Sequence, residues 1–207
     1  YKTELWVNGS YIGNHIGGYV SFAFDITDKL NVGGNAIVFR VTDRLRSGNQ
    51  PGGKQSNRYE SYGCSYTRTT GMWQTVWLEF VPNAYIKNFR LYPDVDNKRI
   101  IVDAECINAD GMTLEVQTEF DGKVEGKTEV KVGAGRAYAV VDLEDLHLWE
   151  IGNGRLYDLL LTLGDDKISS YFGMRKIECK DGALILNGKK VFQRLVLDQG
   201  FYPNGIY

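Results

Sequence analysis

An all-β architecture, arranged as two sandwich-like domains and the opening of a third, is the expectation for this 207-residue chain. Three observations carry it. Helical periodicity is almost absent, short apolar–polar alternations recur instead, and Gly- and Asn-based turn signals separate them. Glycine is abundant at 24 residues and proline scarce at 4, while aromatic residues reach 13%.

The first elements are read in order. Leu5-Trp6-Val7, Asn8-Gly9 and Tyr11-Ile12 predict a hairpin, because a type I′ turn needs positive φ at both central residues and Asn-Gly supplies them. Val20 to Phe24 alternates, and Ala36 to Val41 follows the turn Asn31-Val32-Gly33-Gly34-Asn35. Trp73 to Val81 reads as another strand, so the first domain is a sandwich or jelly roll. Trp6 and Trp77 fall inside these strands and are expected in the core.

Between Thr42 and Gly71 the pattern dissolves into a long loop. Loops of that length inside a compact domain are more often functional or disordered than idle. Its first part, Ser47 to Gly53, reads as flexible, and its aromatic second part is expected to pack against something. Tyr62, Tyr66 and Arg68 are its candidates for ligand contact.

A second domain begins at Asn83. Ile86 to Tyr92, Ile100 to Cys106, Leu114 to Phe120, Ala137 to Val141, Tyr157 to Leu163 and Ser169 to Gly173 are successive strands. Such a series suits an immunoglobulin-like β-sandwich, although the Cys…Trp…Cys hallmark of antibody domains is lacking. Cys106 shares the apolar phase with Ile100, Val102 and Ala104 and reads as core.

At the far end, Leu184-Ile185-Leu186 runs into Asn187-Gly188, again a hairpin signal. The returning strand ends in Leu195-Val196-Leu197, continuously apolar as in a parallel strand buried on both faces. Parallel strands need crossovers of a dozen or more residues, so the sequence reads as the front part of a larger protein. Arg194 in that run should find a carboxylate partner, in this chain or in the part of the protein beyond it, since an unpaired buried guanidinium is costly. Asp198 follows the strand directly, the place where barrel enzymes collect their active-site residues. Arg194, Asp198 and the adjoining Gln199 therefore join Tyr66 and Arg68 as candidate substrate contacts.

The totals exclude other classes. Lys and Arg number 24 against 26 Asp and Glu, a net charge of −2 that argues against nucleic acid. No run of successive apolar residues is long enough to span a membrane. Three scattered cysteines and two histidines fit neither a metal site nor a disulfide framework, and slightly favour a reducing, cytoplasmic setting. No phosphate loop, nucleophile elbow or cofactor motif is present, so no cofactor is expected. Most acidic residues sit in turns or on solvent phases, where they serve turn formation and solubility. The tryptophans could in principle stack on sugar rings.

Taken in order, several blocks resemble glycoside hydrolase family 2, the family of β-galactosidases, β-glucuronidases and β-mannosidases. Trp6-Val7-Asn8-Gly9, Gly17-Gly18-Tyr19 and Phe22 to Leu30 look like the second half of its jelly-roll sugar-binding domain. Gly34 to Val38 and Gly71 to Glu79 look like that domain's closing strands. Leu148-Trp149-Glu150, Leu156 to Leu159 and Phe172 to Glu178 resemble the end of its immunoglobulin-like domain, and Leu186 to Pro203 resembles the opening of its (β/α)₈ barrel.

The resemblance implies a jelly roll over residues 1–82, lacking its first strands, a sandwich over 83–178 and the start of the barrel over 179–207. It further implies a retaining exo-glycosidase whose two catalytic glutamates lie on later barrel strands, so no catalytic residue is assigned in this chain. Its partner would be a carbohydrate substrate held through the barrel, and the resemblance admits a homo-oligomer. Many members continue the first barrel strand as Arg-Gly-Val-Asn-Arg-His. Arg194 and Val196 fit, whereas Leu195, Leu197, Asp198 and Gln199 depart, pointing to a divergent subgroup. The alternative from another class is a free-standing carbohydrate-binding or adhesion module.

Overall fold

The computed structural model describes residues 1–198. It divides into two compact units, residues 1–78 and residues 79–196.

In the first unit, β1 (Lys2–Val7), β2 (Ser10–Ile16) and β3 (Ile37–Thr42) form an antiparallel sheet in the order β2-β1-β3. Asn8 and Gly9 take φ of 49° and 80°, the positive pair that a type I′ turn demands. Asn8 also fixes the next connection. Its Nδ2 donates to the Lys29 carbonyl at 2.7 Å and to Asn35 Oδ1 at 2.8 Å, and its Oδ1 accepts from Ala36 N at 2.9 Å. Glu4 lies opposite Arg40 in the β1–β3 register, and the two pair at 2.7 Å. The Arg40 hydrogen bond, helped by Lys2, holds the Glu4 carboxyl below its ordinary range.

Three expectations for this unit are corrected. Val20 to Phe24 forms no strand; it lies over the hairpin through its rings. Phe22 stacks on His15 at 4.3 Å, and Phe24 occupies the space that the missing side chain of Gly13 leaves. Trp73 to Val81 forms no strand, because no strand lies in register beside it among the described residues, and alternation alone makes no hydrogen bonds. Trp77 is accordingly 62% exposed rather than core. Trp6 is half-buried, covered by the Arg40 guanidinium at 5.1 Å and Tyr11 at 5.4 Å.

The second unit is a sandwich. Its strands are β4 (Tyr85–Asp94), β5 (Arg99–Ile107), β6 (Thr113–Phe120), β7 (Lys123–Lys131), β8 (Arg136–Asp142), β9 (Tyr157–Leu163) and β10 (Asp166–Phe172). Among the described residues one sheet runs β4-β5-β8 and the other β10-β9-β6-β7, all antiparallel. The alternating residues Ile100, Val102, Ala104 and Cys106 of β5 face Leu114 and Val116 of β6 and Leu159, Leu161 and Leu163 of β9 in one buried core. Burial pushes the Cys106 thiol above its ordinary value, as core packing requires.

Sequence reading did not anticipate β7, whose nine residues include only Val124 and Val130 as large apolar side chains. A β-bulge where Thr118 gives way to Glu119 shifts the β6–β7 register. The shift turns Glu125 inward to 2% exposure and leaves Val124 46% exposed, the reverse of what hydropathy suggests.

After the sandwich, β11 (Ile177–Lys180), β12 (Ala183–Leu186) and β13 (Lys189–Val191) form a meander. Both connections are tight positive-φ pairs, Asp181-Gly182 and the anticipated Asn187-Gly188. Here too an expectation is corrected, because the strand ends at Val191. Leu195, Val196 and Leu197 are 78%, 91% and 86% exposed, with no neighbouring strand to bury them among the described residues. Arg194 is likewise exposed and forms no ion pair among the described residues.

Candidate functional site

The loop that leaves β3 is built around Ser56, which is fully buried. Ser56 Oγ donates to the Glu60 carbonyl at 2.7 Å and accepts from Arg58 N at 3.0 Å, while Ser56 N donates to the Tyr66 carbonyl at 2.6 Å. Tyr66 N returns to the Lys54 carbonyl at 2.7 Å, so two stretches of the loop run side by side. Thr69 N donates to Gln55 Oε1 at 3.1 Å, and Tyr62 and Ser65 exchange backbone hydrogen bonds around Gly63. Even Ser47 to Gly53, read as flexible, is tied back: Gln50 donates to the Asp43 carboxylate and accepts from Arg44 N at 3.0 Å.

On this frame stands a set of stacked arginine–tyrosine pairs. Arg46 and Arg68 both place their guanidinium over the Tyr59 ring, at 5.5 and 4.7 Å from its centre. Arg58 lies over Tyr62 at 4.1 Å. Asn57 joins the two groups, accepting from Arg46 Nε at 2.9 Å through its carbonyl and from the Tyr62 hydroxyl at 3.1 Å through Oδ1. The aromatic half of the loop thus packs against its own arginines rather than against a core. Beside it, Trp73 donates through Nε1 to the Gly18 carbonyl at 2.8 Å and meets Tyr19 edge-on at 5.5 Å.

The charge is one-sided. Residues 43–70 contain Arg44, Arg46, Lys54, Arg58 and Arg68 against Asp43 and Glu60, within a chain of net charge −2. None of the four arginines forms an ion pair with a carboxylate among the described residues. Solvated, laterally stacked guanidinium groups keep their donor edges available while a ring holds their plane. Chemically, such a surface can accept a flat apolar face and an anion together.

Of the residues singled out from sequence, Tyr66 and Arg68 therefore belong to one structured loop, Tyr66 through its backbone and Arg68 through Tyr59. Asp198, like Arg194, is exposed beyond β13. Gln199 lies outside the described residues. Sequence reasoning did not single out Tyr59, Arg46 or Arg58 for ligand contact. The available signal was their grouping: Arg58 and Arg68 flank the rings of Tyr59, Tyr62 and Tyr66 along one segment.

A second cluster lies in the sandwich. Glu125, Asp145 and His147 bring potential ligand atoms within 4.8 Å of one another. Lys123 already supplies the countercharge, its Nζ 3.5 Å from both Glu125 and Asp145 and 3.1 Å from Glu144. The Glu144 hydrogen bond first, then the neighbouring carboxylates, push the Lys123 pKa up to about 12. Glu125 Oε2 also accepts from Asp145 N at 2.8 Å. This is a clasp that ties β7 to the chain before β9.

With the sandwich and the loop described, the comparisons define the class. Residues 84–175 match the sequence profile described as "Glycosyl hydrolases family 2". A protein of Formosa agariphila provisionally named a β-glucuronidase is 28% identical over 93% of this chain. A β-galactosidase of Thermoanaerobacterium thermosulfurigenes is 25% identical over 97% of it. The chain spans 24% and 30% of the length of these two relatives. Among solved structures, a β-glucuronidase from Ruminococcus gnavus in complex with D-glucaro-d-lactam superposes with a TM-score of 0.73 at 20% identity, over 93% of this chain and 34% of that one; it shares the fold. Through its sandwich, residues 84–175, the chain is similar to glycoside hydrolase family 2.

Proposed function

We propose that this chain is a non-catalytic portion of a retaining exo-β-glycosidase that releases terminal β-linked sugars. A β-galactosidase-like specificity comes first, with β-glucuronidase and β-mannosidase next. The observation that carries this reading is the family match on the sandwich, extended by glycosidase relatives that align over more than nine-tenths of the chain. Residues 1–82 would be the jelly roll, 83–178 the sandwich and 179–207 the approach to the barrel. In the intact enzyme, one glutamate outside this chain protonates the leaving oxygen while a second attacks the anomeric carbon and forms the glycosyl-enzyme. Water then releases the sugar with retained configuration. The chain's own contribution is to buttress the barrel, to build subunit contacts, and to shape one wall of the pocket with the loop between Thr42 and Gly71.

Assays on nitrophenyl β-galactoside, β-glucuronide and β-mannoside test this. The product of the complete gene should turn over one of the three, and residues 1–207 alone should turn over none. Clear turnover by the purified chain overturns the reading, as does an intact product inert on all three. A second reading, a carbohydrate-binding module acting without an attached catalytic domain, draws support from the exposed rings and unpaired arginines of the loop.

A further inference from the structure

We infer that the Arg46–Tyr59–Arg68 cluster, with Arg58 on Tyr62, is a binding surface for an acidic saccharide, a pyranose chain bearing carboxylate groups. This goes beyond a wall that merely shapes a pocket, and it rests on the carbohydrate reading above.

Two guanidinium groups converge on a single tyrosine ring. Like charges gathered at one ring repel each other, and no carboxylate pairs with either among the described residues. A bound anion relieves that repulsion, so the loop favours an anionic ligand before any contact specificity is added. The positions are also set in advance. Arg46 is anchored through Nε to the Asn57 carbonyl, and Asn57 Oδ1 holds the Tyr62 hydroxyl beneath Arg58. The Nη groups of Arg46 stay available for the parallel two-oxygen contact that a guanidinium makes with a carboxylate.

The rings select the rest of the ligand. Tyr59 is 83% exposed even with two arginines against it, so part of its face is open. A pyranose presents a flat C–H face of the kind that aromatic rings bind, and a uronic acid carries its carboxylate on that same ring. An inorganic anion would use the charges and leave the tyrosine idle; a neutral sugar would do the reverse. Nucleic acid also combines charge and stacking, but it needs a basic face well beyond one loop of a chain whose net charge is −2.

The test is calorimetric titration of residues 1–207 with tetragalacturonate, with β-1,4-galactotetraose as the neutral counterpart, and with sodium sulfate and a short single-stranded DNA as controls. The uronate should bind about tenfold or more tightly than the neutral tetramer, and it should weaken as salt rises from low to about 0.5 M. Arg68→Gln and Arg58→Gln, each with an unchanged melting curve, should weaken uronate binding about fivefold or more and leave the neutral sugar unaffected. Arg68→Lys should recover only part, since it restores charge without the fork. Equal affinity for acidic and neutral tetramers, no uronate binding, affinity unmoved by both glutamine variants, or tighter binding of sulfate or DNA overturns the inference. These results are separable from the enzymatic reading. An active intact enzyme with a uronate-blind loop sinks only the inference, and uronate binding beside an intact product inert on all three nitrophenyl glycosides sinks only the glycosidase.

Discussion

Asn187 donates its side-chain amide to the Trp149 carbonyl at 2.9 Å, linking the last β-hairpin to the segment that precedes β9. Its Oδ1 simultaneously accepts from Lys176 N at 2.9 Å, and its own N–H returns to the Lys176 carbonyl at the same distance. One turn residue therefore sets the hairpin and docks it on neighbouring backbone. Its φ of 49° suits asparagine better than most non-glycine residues.

Replacing Asn187 by Ala removes both side-chain bonds, leaves the Trp149 carbonyl and Lys176 N–H without them, and forces alanine to positive φ. The expected loss is about 2 kcal/mol. Hydrogen exchange should show residues 177–191 opening well before the sandwich; uniform exchange across both would refute the docking role.

Gly126 lets β7 approach the opposite sheet closely. A methyl group there would overlap the Asp142 carbonyl oxygen and stand 2.7 Å from Val141 Cγ1. Neither atom sits on a flexible chain end. Gly126→Ala should therefore destabilise the sandwich by about 2–3 kcal/mol, read as a lower denaturant midpoint at unchanged slope. A midpoint equal to wild type would show that the two sheets separate freely at this corner.

Tyr157 is fully buried, stacked on Phe172 at 5.0 Å. Its hydroxyl donates to the Asp145 carbonyl at 2.8 Å and accepts from His147 N at 2.7 Å. Burial pushes its pKa above the ordinary value, so it stays a donor throughout the working range. Tyr157→Phe keeps the ring and orphans both backbone groups, at a cost of about 1–3 kcal/mol. Thermal unfolding of this conservative variant measures the bridge directly; no change in Tm would mean water replaces it.

Stability should fall in acid. Asp94 is held below its ordinary 3.8, chiefly by the Asn97 side chain and then by Arg99. Glu4 is held below its ordinary 4.5, chiefly by Arg40. A carboxylate with a depressed folded pKa contributes fully above its unfolded value, and that contribution is lost as pH falls through the folded one. Urea midpoints should therefore be level near neutrality and decline below about pH 4.5. Asp94→Asn should lower the neutral midpoint and flatten part of the acid decline. An identical pH profile in that variant would remove Asp94 from the account.

Residues whose local chemistry agrees with their packing were readable from sequence. Ile100 to Cys106 and Leu114 to Phe120 alternate, and both strands bury the apolar phase. Asn8-Gly9 and Asn187-Gly188 turn where their φ freedom allows. Strand β7 escaped because a bulge reversed the meaning of its alternation, burying Glu125 and exposing Val124. Val20 to Phe24, Trp73 to Val81 and Leu195 to Leu197 show the converse: apolar pattern states an appetite for burial, while a ladder also requires a neighbour in register. In the candidate site, Arg68 was legible as an exposed cation beside aromatics. The sharing of Tyr59 with Arg46 was not, since residues thirteen positions apart are brought together through Asn57 and Ser56.

The pairing of β6 with β9 has a consequence for how the sandwich comes into being. Leu114 and Val116 lie beside Leu163 and Leu161, residues made far later in synthesis. The neighbouring hairpins β4–β5, β6–β7 and β9–β10 close over short distances and can form early. The centre of the larger sheet waits for β9 to emerge from the ribosome, and until then the greasy faces of β5 and β6 are open to wrong partners. Slow refolding with a concentration-dependent yield is the signature that this order of assembly would leave.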